Sequence, residues 1–454
     1  MHYFIYPNGG HSKMLAHNLD LLGHSYTFLD DYKNFMSLES NLKLIKANGG
    51  GGIEQNSPVL LACDSCSYKT RAIRKKLISN LENLNIKWAD GFEFIADELL
   101  KFENINLENS VAILTTALFK NRHYGSIFDI LLKNKVNIFI VNSYIQNYKS
   151  DKGFMGLSNI LIPTNSLKYY KFKIVLSSVN LSYQNICFTH KNSFAMVFSH
   201  HLTMLRSFIF THKICDISKQ ESIDTFGSAV DCYYVAMMKS DHKYFNALNS
   251  KAKLLNLGYP SIDQQIKSYT PNDPQKCVLV LFRHSKAYKK IIEVMDKLLN
   301  LGYEVIFRPV PTFENNSDNL EIKNHFLGRK NFTYDTDPKV SNQTLQKSMC
   351  AIGDYSSTIF SFPFTTLRPC LLFYPTEIMG DKFEIETING KTLSLADKNL
   401  HIVSRNVDEL IQNIENLNLD EWKERILNYR NNEIYNLGHS SEAIAQFILD
   451  KIKT

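Results

Sequence analysis

The sequence lacks long apolar runs and is poor in cysteine. No window approaches the roughly eighteen consecutive apolar residues of a membrane-spanning helix, and Met1 to Tyr6 lack the regions of a signal peptide, which predicts a cytoplasmic protein. The eight cysteines are scattered through apolar segments, as reduced core thiols are. Only Cys63 and Cys66 form a close pair, so a redox role stays open there, and no second pair completes a zinc site.

An excess of charge of one sign is missing as well. The 454 residues carry 51 Lys and Arg against 45 Asp and Glu, a formal charge of +6. This balance is too dilute for a committed nucleic-acid binder, although it favours phosphate-bearing partners. With 44% hydrophobic residues and no repeat of fixed period, the chain is neither disordered, collagen-like, a coiled coil nor a solenoid.

Short apolar runs alternate with helical patterns, which is typical of parallel sheets with crossover helices. The first block predicts strands at 2–7, 59–63, 111–115 and 136–141, and the second has apolar runs at 171–176, 185–189, 194–198 and 231–237. Whether these blocks form one α/β domain or two stays open.

A domain boundary is predicted at Ser268 to Pro274, where Pro, Asn and Asp punctuate the chain before a new strand begins at Cys277. The strands and helices that follow have the order of a nucleotide-binding α/β domain. The predicted division is an N-terminal α/β region at 1–150, the remainder of an N-terminal domain at 151–268, a C-terminal domain at 269–430 and a C-terminal helix at 431–454.

Ligands of open α/β sheets bind beyond the carboxyl ends of strands, so polar residues there are site candidates. Ser356 and Ser357 stand between an apolar strand and a helical run, where they would bind an anion or simply cap the helix. Arg308 ends a strand before two prolines and would hold a phosphate or form a salt bridge.

Two further segments have the same position after apolar runs. His200 and His201 end such a run, and one imidazole, facing a cleft, would act as a general base, although a structural role is common for histidine. Gly258 and Pro260 form a turn, which many proteins have for purely structural reasons.

In order along the chain, these segments resemble the CDP-glycerol glycerophosphotransferase family of teichoic-acid and capsule enzymes. The resemblance covers about residues 195 to 375, with a weaker echo at Gly438 to Ser441. Its motifs are Ser199 to Leu202, Asp231 to Val235, Gly258 to Asp263, Arg308 to Pro311, Asp335 and Asp354 to Ser357.

The resemblance implies an α/β fold of GT-B type, in which two Rossmann-like domains face each other, with a larger, elaborated N-terminal half. In that family the C-terminal domain holds a CDP-linked donor, and an acceptor hydroxyl attacks the β-phosphorus so that CMP leaves. It implies that His200 is the general base and that Arg308 neutralises charge during transfer. The implied donor-binding residues are Gly258, Asp335, Asp354, Ser356 and Ser357, and further candidates are His201, His284, Ser440 and Ser441. No metal ion and no cofactor apart from the CDP-linked donor is expected.

Two departures from the family matter. The family has a histidine between the two prolines after the arginine, whereas this chain has Val310, so the donor or the catalytic role of that histidine differs; His284 is a candidate replacement. Residues 1–150 do not match the family, and they are expected to recognise the acceptor or to anchor the protein in its pathway.

The sequence therefore predicts a transferase that moves a phosphate-containing group from a CDP-activated donor to a polysaccharide or lipid-linked glycan. The group would be glycerol phosphate or another small modification such as O-methyl phosphoramidate, and peripheral association with the inner membrane fits this role. The alternatives are a conventional GT-B glycosyltransferase that uses a nucleotide sugar and a non-catalytic glycan-binding or assembly protein.

Gly49 to Gly52 form the one low-complexity run, which is interpreted as a loop. A phosphate-cradling role is not expected, because neither a Walker lysine nor a preceding strand is present. In a chain rich in Lys, Asn and Ile, such a run is what a guanine tract would encode. The hypothesis is a phase-variable gene for a capsule-decorating enzyme.

Overall fold

The computed structural model describes most of the chain. The described residues are 1–29, 58–63, 68–83, 85–102, 107–115, 123–142, 164–177, 192–198, 206, 209–213, 232–248, 253–282, 285–310, 314–337 and 339–454. Within these ranges, no helix is both long enough and apolar enough to cross a bilayer. Gly49 to Gly52, the expected strand at 185–189 and Cys66 lie outside them.

The N-terminal residues form a four-stranded parallel sheet in the order β2-β1-β3-β4. Its strands are β1 (His2–Tyr6), β2 (Ser25–Phe28), β3 (Val59–Leu61) and β4 (Trp88–Asp90). Its helices are α1 (Gly10–Leu21), α2 (Tyr68–Asn83) and α3 (Gly91–Phe102). Strands β1 and β3 are almost continuously apolar because helices cover both faces of a parallel sheet.

A second parallel sheet has six strands in the order β10-β9-β8-β7-β5-β6. These are β5 (Ser110–Thr115), β6 (Asn137–Asn142), β7 (Ile174–Ser177), β8 (Phe194–Val197), β9 (Cys232–Ala236) and β10 (Lys253–Asn256). The helices of this part are α4 (Ile127–Lys133), α5 (Asp241–Ala247) and α6 (Pro260–Ser268), with short 3₁₀ helices at Thr164–Tyr169 and Thr211–Lys213.

The division between the first two sheets differs from the one expected at residue 150. Strand β5 pairs with both β6 and β7, so β5 and β6 belong to the second sheet. The first sheet and its helices end at Phe102. The segments on either side of residue 150 have similar apolar patterns, and only the long-range pairing of Val111 with Ile174 assigns β5 to its sheet.

The third sheet begins at Cys277, after residues 269–276, which form neither helix nor strand. It is parallel, with the order β13-β12-β11-β14-β15-β18. Its strands in chain order are β11 (Cys277–Leu281), β12 (Glu304–Phe307), β13 (Phe332–Tyr334), β14 (Ser348–Gly353), β15 (Cys370–Phe373) and β18 (His401–Ser404). Between β15 and β18 the chain also forms a separate antiparallel hairpin of β16 (Ile385–Ile388) and β17 (Lys391–Ser394). The helices are α7 (Tyr288–Asn300), α8 (Ser317–His325), α9 (Asn342–Lys347), α10 (Thr358–Thr366), α11 (Thr376–Met379) and α12 (Val407–Glu415), and a 3₁₀ turn covers Ser285–Ala287.

The third sheet with its helices is called here the third-sheet half, and the second sheet with its helices the second-sheet half. Two elements connect these halves. After α13 (Leu419–Glu433) the chain crosses back, and α14 (Ser440–Lys453) buries Ile444 and Ile448 against the second sheet. The hairpin β16–β17 docks on the other half, where Lys213 Nζ donates to the Ile385 carbonyl at 2.6 Å and Asn389 Nδ2 to the Ala247 carbonyl at 2.7 Å. The expected α/β architecture with an elaborated N-terminal half is therefore present, and the four-stranded sheet is the elaboration.

Candidate functional site

The strand order of the third sheet reverses between β11 and β14, because β12 and β13 continue to one side and β15 and β18 to the other. Ligands of doubly wound sheets bind at such a switch point, beyond the carboxyl ends of the strands. The segment Asp354 to Ser357 follows β14, Arg308 follows β12 and Asp335 follows β13. The structure thus places these sequence-predicted residues along one edge of one sheet.

Ser356 and Ser357 form the entry to helix α10. The Ser356 hydroxyl accepts the N–H of Thr358 at 3.1 Å, which is a capping interaction. Ser357 is the N-cap residue, but its side chain makes no capping hydrogen bond. Of the two interpretations left open by the sequence, capping describes Ser356, whereas the Ser357 hydroxyl makes no capping bond and lies at the positive end of the helix dipole.

The turn before α10 is held by Gly353 and Asp354. A Cβ on Gly353 would lie 2.6 Å from Ile359 Cγ2 and 3.2 Å from the Leu281 carbonyl, so glycine lets α10 pack directly on the strands. Asp354 is fully buried; its carboxylate accepts the Tyr355 N–H at 2.5 Å and its carbonyl accepts the Tyr374 hydroxyl at 2.7 Å. Asp354 therefore shapes the turn that presents the two serines.

Arg308 and Asp335 form a buried ion pair at the ends of β12 and β13. Their side chains expose 7% and 10% of their surface, and Arg308 Nη1 lies 2.7 Å from Asp335 Oδ2. Arg308 Nη2 donates to the Asp337 carbonyl, and Asp335 Oδ1 accepts the Asp337 N–H at 2.9 Å. These bonds fix the orientation of the guanidinium, which has five N–H groups and so retains donors beyond them. Val310, two residues on, is half-buried.

A cavity of about 350 Å³, named here the α10 cavity, runs along one face of helix α10. Its walls come from α6, from the segment around α9 and from α10, and its lining includes the polar residues Gln264, Gln265, Asn342, Thr358 and Ser361. Its residue Thr358 directly follows Ser357, so the cavity and the helix entry form one region. The sequence analysis did not identify the wall from α6, because its polar residues carry no motif.

The structure brings Gly258, Ser440 and Ser441 together where the chain returns from α13 to the second sheet, a segment called here the C-terminal crossing. Their contacts are packing contacts of this segment. Gly258 has φ +88°, and a Cβ there would lie 2.2 Å from the Tyr435 carbonyl and 2.4 Å from Ser440 Oγ. The carboxylate of Asp263 accepts the N–H groups of Gly438 at 2.7 Å and Ser440 at 2.9 Å, which caps helix α14. Ser441 Oγ accepts the Ser126 N–H at 3.3 Å.

The three candidate histidines, His200, His201 and His284, lie outside the described residues. Strand β8 ends at Val197 and β11 at Leu281, so the strands that precede them are described. No group of three or more His, Cys, Asp or Glu side chains that could hold a metal ion occurs in the described part of the chain. Three of the cysteines, Cys277, Cys350 and Cys370, are buried in the third sheet, and burial raises the pKa of each thiol.

Behind helix α10 lies a second cavity of about 500 Å³, the Arg206 cavity, between α5, the segment 394–403 and α13. Asp397 and His401 contribute to its wall. His401 Nδ1 accepts the Asp397 N–H at 2.9 Å and its Nε2 donates to the Ile359 carbonyl at 3.0 Å, so the ring is neutral. Burial accordingly lowers the pKa of His401 to about 4. The sequence analysis missed this cluster, whose members come from distant segments without a shared motif.

The carboxylate of Asp397 has several partners in this wall. Its Oδ2 accepts the Tyr429 hydroxyl at 2.6 Å and lies 3.5 Å from Arg206 Nη2, while its Oδ1 accepts the Asn399 N–H at 3.0 Å. Burial acts to raise the pKa of Asp397, but Arg206 and these hydrogen bonds together hold it below its ordinary value. Asp397 is therefore a charged group that already accepts three hydrogen bonds, two at Oδ2 and one at Oδ1.

No protein-family model and no curated protein matches the chain. Among solved structures, the chain is similar to the wall teichoic acid polymerase TagF, with 16% identity and a TM-score of 0.52, over 85% of this chain and 99% of that one. A TagF variant soaked with CDPG for 15 minutes gives the same values. The UDP-GlcNAc 2-epimerase of Methanocaldococcus jannaschii, in complex with UDP-GlcNAc and UDP, is similar over 75% of this chain and 99% of that one, with 13% identity and a TM-score of 0.49. The chain thus has the α/β fold of GT-B type that TagF has.

Proposed function

We propose that the protein is a surface-polysaccharide transferase that moves a phosphate-containing group from a CDP-activated donor to a glycan hydroxyl. The observation that carries the proposal is that Ser357, next to the cavity residue Thr358, and Arg308 both lie at the carboxyl edge of the third sheet, in a TagF-like fold. A helix N-terminus with a hydroxyl after β14 and a guanidinium at the end of β12, two strands away, would offer two groups of donors to a diphosphate.

In the proposed reaction, an acceptor hydroxyl attacks the β-phosphorus of the donor. A new O–P bond forms, the bond between the β-phosphorus and the bridging oxygen breaks, and CMP leaves with that electron pair. His200 would take the proton of the hydroxyl, with His201 and His284 as the further candidates. Ser357 and the first amides of α10 would hold the donor phosphates, with Ser356 and Asp354 shaping that entry.

Arg308 would face the phosphates as an oriented donor rather than as an unpaired positive charge. Its pairing with Asp335 offsets most of its net charge, while the planar guanidinium stays fixed for hydrogen bonding. Asp335 would then act by positioning Arg308, and Gly258, Ser440 and Ser441 by holding the two halves of the molecule together.

Incubation of the full chain with radiolabelled CDP-glycerol and an acceptor glycan tests the reaction directly. We expect CMP as the nucleotide product and label in the glycan. Release of UDP or GDP from other donors, with no reaction of a CDP-linked one, would instead favour a conventional glycosyltransferase. A protein that binds the glycan but turns over no donor would be an assembly protein.

The donor site is tested with Ser357→Ala, matched to Ser317→Ala. Both serines stand at the start of a helix in the third-sheet half, but Ser317 is exposed at the entry of α8, which follows β12 and not β14. Loss of a hydrogen bond to a charged group should raise the donor KM about tenfold or more for Ser357→Ala, whereas Ser317→Ala should leave it unchanged. Equal effects would mean that α10 does not hold the donor. His200→Ala should abolish transfer with little change in donor binding.

The cellular role is tested by the phosphorus NMR spectrum of the capsule with and without the gene. Loss of one phosphorus signal, of glycerol phosphate or O-methyl phosphoramidate, identifies the transferred group, and an unchanged spectrum contradicts phosphotransfer. The proposal includes a cytoplasmic enzyme that meets a lipid-linked or polymeric acceptor at the inner membrane. If the codons of Gly49 to Gly52 form a guanine tract, a phase-variable, single-addition enzyme is favoured; mixed codons remove that argument.

A further inference from the structure

The Arg206 cavity contains a buried cation whose hydrogen bonds are unusually long. Arg206 exposes only 3% of its surface and lines the cavity. Its guanidinium reaches the Leu395 carbonyl, Ser240 Oγ and Asp397 Oδ2, and each of these distances is 3.5 Å. Charge-assisted hydrogen bonds are normally about 2.7–2.9 Å long, so these donors are poorly used for a buried charge.

Aromatic rings rather than hydrogen bonds fix the position of this guanidinium. It stacks 4.7 Å from the ring centre of Tyr244 and 5.1 Å from that of Phe360. Tyr244 belongs to the second-sheet half and Phe360 to helix α10, so the cation is clamped between the two halves. Among the described residues this clamped guanidinium has only these long hydrogen bonds, and beside a cavity it is arranged to receive an anion from the cavity side.

The charges around the cavity fit a doubly charged anion. Its lining carries the cations Arg206, Lys243 and Lys398 against the single carboxylate of Asp397, a balance of +2. Two more carboxylates lie behind the wall, where Asp241 accepts the N–H groups of Met237 and Met238 and Glu433 accepts that of Ser240. A phosphomonoester carries about −1.5 to −2 at neutral pH, which is opposite in sign and similar in size to the charge of the lining itself.

The cavity is distinct from the region assigned to the donor. Helix α10 separates them: Thr358, Ser361 and Thr365 line the α10 cavity, whereas Phe360 faces Arg206 and His401 on the opposite side. A volume of about 500 Å³ accommodates a phosphorylated sugar or the end of a glycan chain. Tyr429 and Asn399 on its walls are suited to the hydroxyl groups of such a ligand.

We infer that the Arg206 cavity is a second binding site, specific for a phosphomonoester attached to a hydroxyl-bearing group. Arg206 binds the phosphate from the floor of the cavity, and the exposed Lys243 and Lys398 bind it from the two halves. The ligand is either a free sugar phosphate or the phosphorylated end of a glycan. This site goes beyond the proposed transfer reaction and does not depend on it.

Calorimetric titration of the full chain tests the site, with saturating CDP present to fill a donor site. The probes are inorganic phosphate, glucose 1-phosphate and an oligosaccharide that ends in a phosphomonoester. Wild-type protein should bind one equivalent of glucose 1-phosphate, and Lys243→Gln with Lys398→Gln should weaken binding about tenfold or more. The matched control, Lys253→Gln with Lys423→Gln, removes the same charge from exposed positions outside the cavity and should leave the affinity unchanged.

The outcomes separate the possibilities. Absence of saturable binding to the wild-type chain, or equal weakening by the two lysine pairs, overturns the site, because a general charge effect is then sufficient. Arg206→Lys should also weaken binding, and if that variant is misfolded by its melting temperature, the lysine pairs decide alone. Tighter binding of the oligosaccharide than of glucose 1-phosphate identifies a glycan end as the ligand, and equal or weaker binding identifies the free sugar phosphate.

Discussion

Replacing Asp335 with asparagine should destabilise the third-sheet half, because it leaves the buried guanidinium of Arg308 without its counter-charge. The two side chains expose 7% and 10% of their surface, and their closest atoms are 2.7 Å apart. Removing one partner of a buried pair costs about 3–5 kcal/mol. Asparagine keeps an acceptor oxygen and Arg308 keeps its bond to the Asp337 carbonyl, so we expect a loss of about 2–3 kcal/mol in the free energy of unfolding.

Urea denaturation followed by tryptophan fluorescence measures this loss. The chain has two tryptophans, Trp88 in the first sheet and the buried Trp422 in helix α13, so a Trp88→Phe background makes Trp422 the reporter. The matched control is Glu377→Gln, which breaks the exposed 3.1 Å pair with Lys290 in the same half. We expect no measurable change from this control, because solvent screens exposed pairs.

A double-mutant cycle completes the test. Arg308→Met alone should also destabilise the protein, whereas the combination of Arg308→Met with Asp335→Asn should recover part of the loss, because no buried charge then remains. If the free energy of unfolding of Asp335→Asn lies within about 0.5 kcal/mol of that of its parent, as for an ordinary surface substitution, the pair is not buried in solution. The assignment of Asp335 as the residue that positions Arg308 would then be wrong.

Three further predictions follow from single contacts. Gly258→Ala should cost about 2–5 kcal/mol, because its Cβ would lie 2.2 Å from the Tyr435 carbonyl at a φ of +88°; an unchanged urea midpoint would refute the packing of the C-terminal crossing. Gly353→Ala should displace α10 and raise the donor KM, because the added Cβ would lie 2.6 Å from Ile359 Cγ2. An unchanged donor KM would mean that α10 does not bind the donor. Burial raises the pKa of Asp241 from 3.8 to about 6, so the native state binds more protons than the unfolded chain, and stability falls as pH rises through this window. As the pH rises from 4 to 6, the free energy of unfolding of Asp241→Asn should therefore increase by on the order of 3 kcal/mol relative to that of wild type, and above pH 6 the difference should stay constant. A difference that does not change with pH, measured by urea denaturation, would contradict the raised pKa of Asp241.

The central strands were predictable because burial on both faces requires continuous apolar runs. Strand β11, Cys277–Leu281, is buried at every position and lies where the sequence predicts it. Strands β2 and β10 were missed because they lie at sheet edges, have exposed ends and so lack a continuous apolar run. The hairpin β16–β17 was also missed, although Asn389 and Gly390, with φ of +48° and +74°, form the Asn-Gly turn that local sequence can indicate.

The candidate site was predictable where one rule about strand ends is sufficient. That rule selects Arg308, Ser356 and Ser357, and the structure places them at one sheet edge. It does not reveal the ion pair of Arg308 with Asp335, since pairing depends on the neighbouring positions of β12 and β13. Arg206 and Asp397 are 191 positions apart and meet only because the hairpin docks on the other half. Such a contact has no local pattern from which it could be predicted.

One contact that joins the two halves, between Tyr244 and Ser394, also forms part of the wall of the Arg206 cavity. On one side, α14 packs into the second-sheet core; on the other, Lys213 holds the hairpin through three backbone carbonyls and Tyr244 donates to the Ser394 carbonyl at 2.6 Å. Any relative motion of the halves must therefore alter the surroundings of Arg206. His401 links this wall to the Ile359 carbonyl in the first turn of α10. A ligand that bridges Lys243 and Lys398 would consequently add a further contact between the two halves.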